Sequence, residues 1–153
     1  MIYLNQDITT VTGPAIILHG VNCQGVMGAG VAKDISDKWP KVKERFLAFP
    51  ASSKNLGHIN IILVDDDIAV FNCYTQEFYG QQKKKYASPG AINECLIRVA
   101  VLRVMAGKKG LSAKIYTPKI GCGLGGLDWD TEVEPIFKAT EDRFGIKFNI
   151  CEI

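Results

Sequence analysis

Two glycine-rich segments lie about a hundred residues apart in this chain. One is Val21-Asn22-Cys23-Gln24-Gly25-Val26-Met27-Gly28-Ala29-Gly30-Val31-Ala32. The other is Pro118-Lys119-Ile120-Gly121-Cys122-Gly123-Leu124-Gly125-Gly126-Leu127-Asp128-Trp129. Each follows a β-branched apolar run and precedes a helix-like pattern. A strand, a glycine loop and a helix N-terminus together present backbone N–H groups to an anion. Two such loops can hold two ends of one ligand, and a diphosphate such as a nucleotide-sugar suits them.

The titratable residues are sparse. Five cysteines (Cys23, Cys73, Cys95, Cys122, Cys151) include no CxxC, and there are two histidines. That excludes a disulfide framework and a zinc cluster as readings of the sequence, and no metal or cofactor is expected. Cys73, Cys95 and Cys151 sit in apolar patterns and read as packing residues, whereas Cys23 and Cys122 flank the loops as candidate pocket residues. His19 lies three residues before Asn22. It suits either a general acid or base or a strand histidine bonded to backbone.

The elements that position these residues can be read from periodicity. Met1–Leu4 reads as a short strand and Pro14–Val21 as a strand buried on both faces. Gly28–Lys38 turns helical, and Pro40 opens a helix through Phe49. Ile59–Val64 and Ile68–Tyr74 read as a strand pair joined by Asp65-Asp66-Asp67. Thr75–Ser88 forms a loop of about fourteen residues, long enough to be functional. A helix over Pro89–Ala106 shows an apolar face of Ile92, Leu96, Val99, Ala100, Leu102 and Arg103, with Gly107 as its stop. Lys114–Lys119 is a strand, Thr131–Phe144 a helix and Lys147–Cys151 a last strand. The alternation predicts an α/β fold: a mixed, mostly parallel sheet of about six strands with helices on both faces, as one domain over 1–153. Ligands of such sheets bind beyond the strand carboxyl ends, where both loops fall.

The chain has 153 residues and a formal charge of +2, too small to imply a nucleic-acid or membrane partner. The one basic run, Lys83-Lys84-Lys85, reads as a solvated loop or a substrate-steering patch. No segment approaches the ~18 apolar residues of a membrane span, and no signal-peptide pattern opens the chain. A cytoplasmic protein (nuclear in a eukaryotic host), off the membrane and monomeric, is the expectation.

Gly121-x-Gly123-x-x-Gly126 fits the dinucleotide pattern formally. That motif belongs in a first βα unit with an acid about twenty residues on, and this one lies near the C-terminus. A P-loop GxxxxGK[ST] is absent. Over its whole length the chain resembles instead the macro domains, the ADP-ribose-binding family. Asn22-Cys23-x-Gly25-Val26-Met27-Gly28-x-Gly30 and Gly121-Cys122-Gly123-Leu124-Gly125-Gly126-Leu127-Asp128-Trp129 carry the likeness. They resemble the branch containing the DarG antitoxins, terminal ADP-ribose protein glycohydrolase and the yeast ADP-ribose 1″-phosphate phosphatase.

The resemblance implies a three-layer α/β/α macro-domain fold and ADP-ribose, or a derivative, as ligand or substrate. ADP-ribosylated protein or nucleic acid are further partners it implies. Gly25, Val26, Met27, Gly28, Ala29, Gly30 and Val31 would bind through the first loop, and Gly121, Cys122, Gly123, Leu124, Gly125 and Gly126 through the second. Asp7-Ile8 matches the family's adenine pair, in which the carboxylate accepts from the adenine amine and the next residue caps the ring; the alternative is that Asp7 caps a turn. Asn22 would contact the distal-ribose hydroxyls and, with His19, stand in the catalytic position. Thr75, Gln76, Phe78 and Tyr79 would cover the distal ribose, with the two aromatics either walling the pocket or anchoring the loop.

The glycohydrolases of this branch use a lysine where alignment of Phe71–Thr75 puts Gln76, unless Lys83, Lys84 or Lys85 reaches in. Terminal ADP-ribose protein glycohydrolase also uses an aspartate in its second loop, where this chain has Gly125. The histidine of the yeast-type phosphatase matches His19. The reading is therefore a hydrolase removing phosphate from ADP-ribose 1″-phosphate. An ADP-ribosyl glycohydrolase and a non-catalytic ADP-ribose reader are the alternatives. Asp128 reads as a helix cap and Trp129 as packing beneath the second loop.

Overall fold

The computed structural model describes residues 1–153. Six strands form one sheet: β1 (Ile2–Asn5), β2 (Ala15–Asn22), β3 (Ile59–Asp65), β4 (Ile68–Gln76), β5 (Lys114–Thr117) and β6 (Phe148–Glu152). Their spatial order is β1-β6-β5-β2-β4-β3. All neighbours are parallel except β3, which pairs antiparallel with β4 through the Asp66–Asp67 turn. β2 is therefore interior, which its continuous apolar run requires.

Alternation along each strand feeds two cores. Leu18, Phe71, Cys73 and Ile150 pack with Ile92, Leu96 and Val99 of α3 (Pro89–Lys108) and Phe137 of α4 (Glu134–Phe144). Ile17, Val21, Val70 and Tyr74 pack on the other face with Ile35 of α1 (Gly30–Lys38) and Val42 and Phe46 of α2 (Pro40–Ala48). The result is the expected three-layer α/β/α arrangement. No helix is long and apolar enough to cross a membrane.

Several boundaries differ from the periodicity reading. The α3 face is built on Ile92, Cys95, Leu96, Val99 and Ala100, which recur at helical spacing; Leu102 falls outside it and is exposed. α3 runs through Gly107 to Lys108, and Gly110 takes the positive φ of the turn that follows. β4 continues through Thr75 and Gln76, so those two residues are strand, not loop. The last helix opens on a π-helical turn, Trp129–Val133. Asp128 caps it by accepting from the Thr131 N–H at 2.9 Å. Trp129 is buried against Phe137, and its indole N–H donates to the Tyr3 hydroxyl at 3.0 Å.

Candidate ligand-binding cleft

Both glycine loops leave the carboxyl ends of adjacent parallel strands, the first from β2 and the second from β5. The first is shaped by one side chain. Asn22 Oδ1 accepts from the N–H groups of Gln24 (3.0 Å) and Val26 (3.2 Å), and its Nδ2 donates to the Val26 carbonyl at 2.7 Å. Beyond that hub the chain enters α1 through Ala29, which has no side-chain oxygen to cap the helix. The N–H groups of Gly28 and Ala29 and of the first turn of α1 meet no protein acceptor. They point the positive end of a helix at the cleft.

The second loop is tied by its own backbone. Leu127 N–H donates to the Gly121 carbonyl at 2.9 Å and Gly126 N–H to the Gly123 carbonyl at 3.2 Å. The N–H groups of Gly123, Leu124 and Gly125 are left without a protein acceptor. The Gly125 carbonyl accepts from both Tyr86 (2.8 Å) and Ala87 (3.0 Å), which fastens the 77–88 segment to this loop. A Cβ at Gly125 would lie 2.7 Å from the Gly121 carbonyl oxygen, so the position has no room for a side chain.

Between the loops lies a cleft of about 820 Å³, within the usual range for small-molecule sites. Its walls are His19–Asn22, Val26–Ala32, Thr75, Gln76, Tyr79–Gln81, Pro118–Gly121 and Gly123–Gly125. No aspartate or glutamate is among its lining residues, and Lys119 is the one lysine or arginine among them. A Cβ built at Gly28, Gly30 or Gly123 meets nothing within 4 Å, so these three glycines face open space.

The structure brings together most of the sequence-predicted residues and leaves others aside. His19, Asn22, Val26, Met27, Gly28, Ala29, Gly30, Val31, Thr75, Gln76, Tyr79, Gly121, Gly123, Leu124 and Gly125 line the cleft. Gly25, Phe78, Cys122 and Gly126 do not. Gly25 and Gly126 serve their loops through positive φ. Phe78 and Tyr79 are both exposed, so neither anchors its loop to the sheet. Cys23 is buried outside the lining, and Cys122 donates its thiol to the Ile120 carbonyl. Burial pushes the Cys122 thiol up to about 11, so no thiolate faces a ligand.

Asp7 and Ile8 also stand outside the lining. Asp7 caps the short 3₁₀ turn Ile8–Thr10, its Oδ1 accepting from the Thr9 N–H (2.9 Å) and hydroxyl (2.8 Å). Those bonds lower its pKa and keep it an ionised acceptor, with Oδ2 unengaged. Ile8 is packed into the α1–α2 core.

His19 is 1% exposed, and its Nε2 meets Asn72 Oδ1 on the neighbouring strand. Burial outweighs that hydrogen bond and lowers the imidazole to about 4. The ring is neutral at neutral pH and sits among strand side chains. Its burial matches the strand-histidine alternative, with the Asn72 side chain as partner in place of backbone, and the residue also borders the cleft. Asn22 lines the cleft too, with its amide bonded to the loop.

None of Lys83, Lys84 and Lys85 lines the cleft. The Lys84 ammonium lies 4.9 Å from the centre of the Tyr86 ring, and Lys85 pairs with Glu132. Gln76 donates to the Phe78 carbonyl at 2.7 Å. Lys119 was legible only as a member of the second glycine-rich segment, and its place beside the cleft needed the structure.

No protein-family model matches the chain. It is 29% identical to an uncharacterised 17.5 kDa protein of enterobacteria phage T4, covering 97% of this chain and 92% of the phage protein. It is also 29% identical to the DNA ADP-ribosyl glycohydrolase of Mycobacterium tuberculosis over 122 residues, 74% of this chain. That alignment spans only 31% of the mycobacterial protein. Among solved structures, a Bacteroides thetaiotaomicron protein of unknown function superposes with a TM-score of 0.84 at 26% identity, covering 99% of this chain and 97% of that one. A macrodomain protein from Streptomyces coelicolor follows, with a TM-score of 0.78 at 27% identity over 99% and 98%. Thermosipho africanus DarTG, solved in complex with ADP-ribose, gives 0.73 at 21% over 97% of this chain and 40% of that one.

Proposed function

Since this chain belongs to the macro domain family, we propose that its cleft binds ADP-ribose and that the protein removes ADP-ribose from a modified macromolecule. The observation that carries the binding is the pair of facing N–H sets. The first turn of α1 with Gly28 and Ala29 stands on one side, and Gly123, Leu124 and Gly125 on the other, none satisfied within the protein. A diphosphate supplies acceptors to both at once.

The distal ribose would then lie towards Asn22, Gln76 and Tyr79, with adenine towards the β5–β6–β1 side. Similarity to the mycobacterial DNA ADP-ribosyl glycohydrolase supports a modified nucleic acid as the substrate. No lysine stands at the β4 end of the cleft, where Gln76 occupies the position. Turnover there uses water, without a covalent lysine adduct. Removal of phosphate from ADP-ribose 1″-phosphate is the second reading. It shares the binding mode and the water, with His19 present as a buried, neutral imidazole and not an imidazolium.

Calorimetric titration with ADP-ribose tests the binding. Incubation with ADP-ribosylated DNA, ADP-ribosylated protein and ADP-ribose 1″-phosphate then separates the activities by the product released. ADP-ribose freed from DNA supports the first reading, and inorganic phosphate alone supports the second. Tight binding with no product in any assay makes the protein a reader. Absence of binding overturns the assignment.

A further inference from the structure

We propose that Lys119 is a ligand-binding residue held in reserve, whose ammonium leaves Glu152 for the anionic ligand when the cleft fills. The inference rests on the diphosphate-binding reading above. Lys119 borders the cleft at the entry to the second glycine loop, yet its Nζ is engaged by Glu152, which is outside the lining. There it pairs with Glu152 Oε2 at 2.9 Å and lies 5.8 Å from the centre of the Trp129 ring and 6.0 Å from that of Tyr3.

This parking place is weak. The Lys119 and Glu152 side chains are 36% and 49% exposed, and exposed pairs of this kind contribute little. Both ring distances sit at the outer limit for a cation–π contact. The cleft meanwhile offers no competing carboxylate and no other cation. A diphosphate entering between the loops brings about two negative charges into a partly enclosed wall, where a single ammonium interacts more strongly than at the open surface. The Cys122 N–H donates to the Lys119 carbonyl at 3.2 Å and holds that backbone in the loop, so the proposed exchange is a rotation of the side chain. Glu152 thus works as a competing anion that lowers affinity until ligand arrives.

The test uses the full chain with two titrants, ADP-ribose and inorganic pyrophosphate, from about 50 to about 300 mM sodium chloride. Lys119→Met should bind both about tenfold more weakly, with a flatter salt dependence, and Lys119→Arg should restore binding. Glu152→Gln should bind about two- to fivefold more tightly, because the competing carboxylate is gone. Equal affinity and salt slope for the parent and Lys119→Met, with ADP-ribose bound by both, would overturn the Lys119 proposal and leave the ADP-ribose reading standing. Lys119-dependent binding of pyrophosphate without binding of ADP-ribose would do the reverse. Failure of the parent to bind either titrant would remove both.

Discussion

Asn22 and Gln76 stand opposite each other at the carboxyl ends of β2 and β4, just past the one register shift between those strands. Each amide is turned to its own loop. Asn22 gathers Gln24 and Val26, and Gln76 holds the Phe78 carbonyl. The Cys23 N–H ties the two together by donating to the carbonyls of Gln76 (3.1 Å) and Glu77 (3.2 Å). The cleft mouth is therefore a single hydrogen-bonded unit whose shape depends on these side chains.

Removing the Asn22 hub should cost more than removing Gln76. Asn22→Ala loses three loop bonds and leaves a buried site unpaired, so we expect about 2 kcal/mol of lost stability and at least about tenfold weaker ADP-ribose binding. Gln76→Ala loses one bond at a half-buried position and should lower affinity about two- to threefold. Thermal unfolding and calorimetry on both variants check the order, and equal effects would mean that the hub does not set the loop.

Glycines within one loop should respond in opposite ways. Gly28→Glu and Gly123→Glu place a side chain in open space at the cleft wall, so the fold should survive while ADP-ribose binding is lost. Gly126 has φ +81°, and a Cβ there would run into the Lys84 carbonyl. Gly126→Ala should therefore destabilise the protein by about 2 kcal/mol or more. Melting temperatures measured beside affinities distinguish the two classes; a Gly28→Glu protein that still binds would place the ligand elsewhere.

Much of this arrangement was legible from residue order. The apolar run before Asn22 announced an interior strand, and the glycine strings announced loops at the strand ends, because backbone chemistry is written directly in composition. Asp128 ahead of the last helical pattern announced a helix cap. Side-chain direction was not legible. Lys84 and Lys119 both stand near glycine loops, and only the packing of Tyr86, Trp129 and Glu152 decides which of the two belongs to the cleft wall. His19 likewise reads either as an acid or base or as a strand histidine in one dimension. Its hydrogen-bond partner is Asn72, fifty-three residues away on β4.

The basic run should prove dispensable for chemistry on the ADP-ribosyl group. Lys84 rests on Tyr86 and Lys83 lies outside the cleft lining. A Lys83→Ala/Lys84→Ala protein should keep turnover within about twofold and unfold within about 0.5 kcal/mol of the parent, as exposed substitutions do. Steady-state rates on the substrate that proves active provide the check. A loss of a hundredfold or more with binding intact would return a lysine to the mechanism.

Stability should depend on pH through His19. Its buried ring has a folded-state pKa of about 4, against about 6.5 once the chain unfolds and the ring meets water. Between those values the unfolded chain holds one proton more than the folded one, so stability rises with pH across that window. The contribution is fully present above about pH 6.5 and is lost progressively as pH falls towards about 4, to a total of about 3 kcal/mol. Nδ1 of His19 and Nδ2 of Asn72 have no hydrogen-bond partner, so neither offsets the burial. Replacing both residues, as His19→Leu/Asn72→Leu, removes the titrating group and both unpaired nitrogens while leaving every surface carboxylate in place. Urea unfolding at about pH 7 and about pH 5 should show the parent losing about 2 kcal/mol more than the double variant over that interval. Parallel losses in the two proteins would mean that the His19 ring takes up its proton within the folded state, and that the strand environment is wetter than its packing implies.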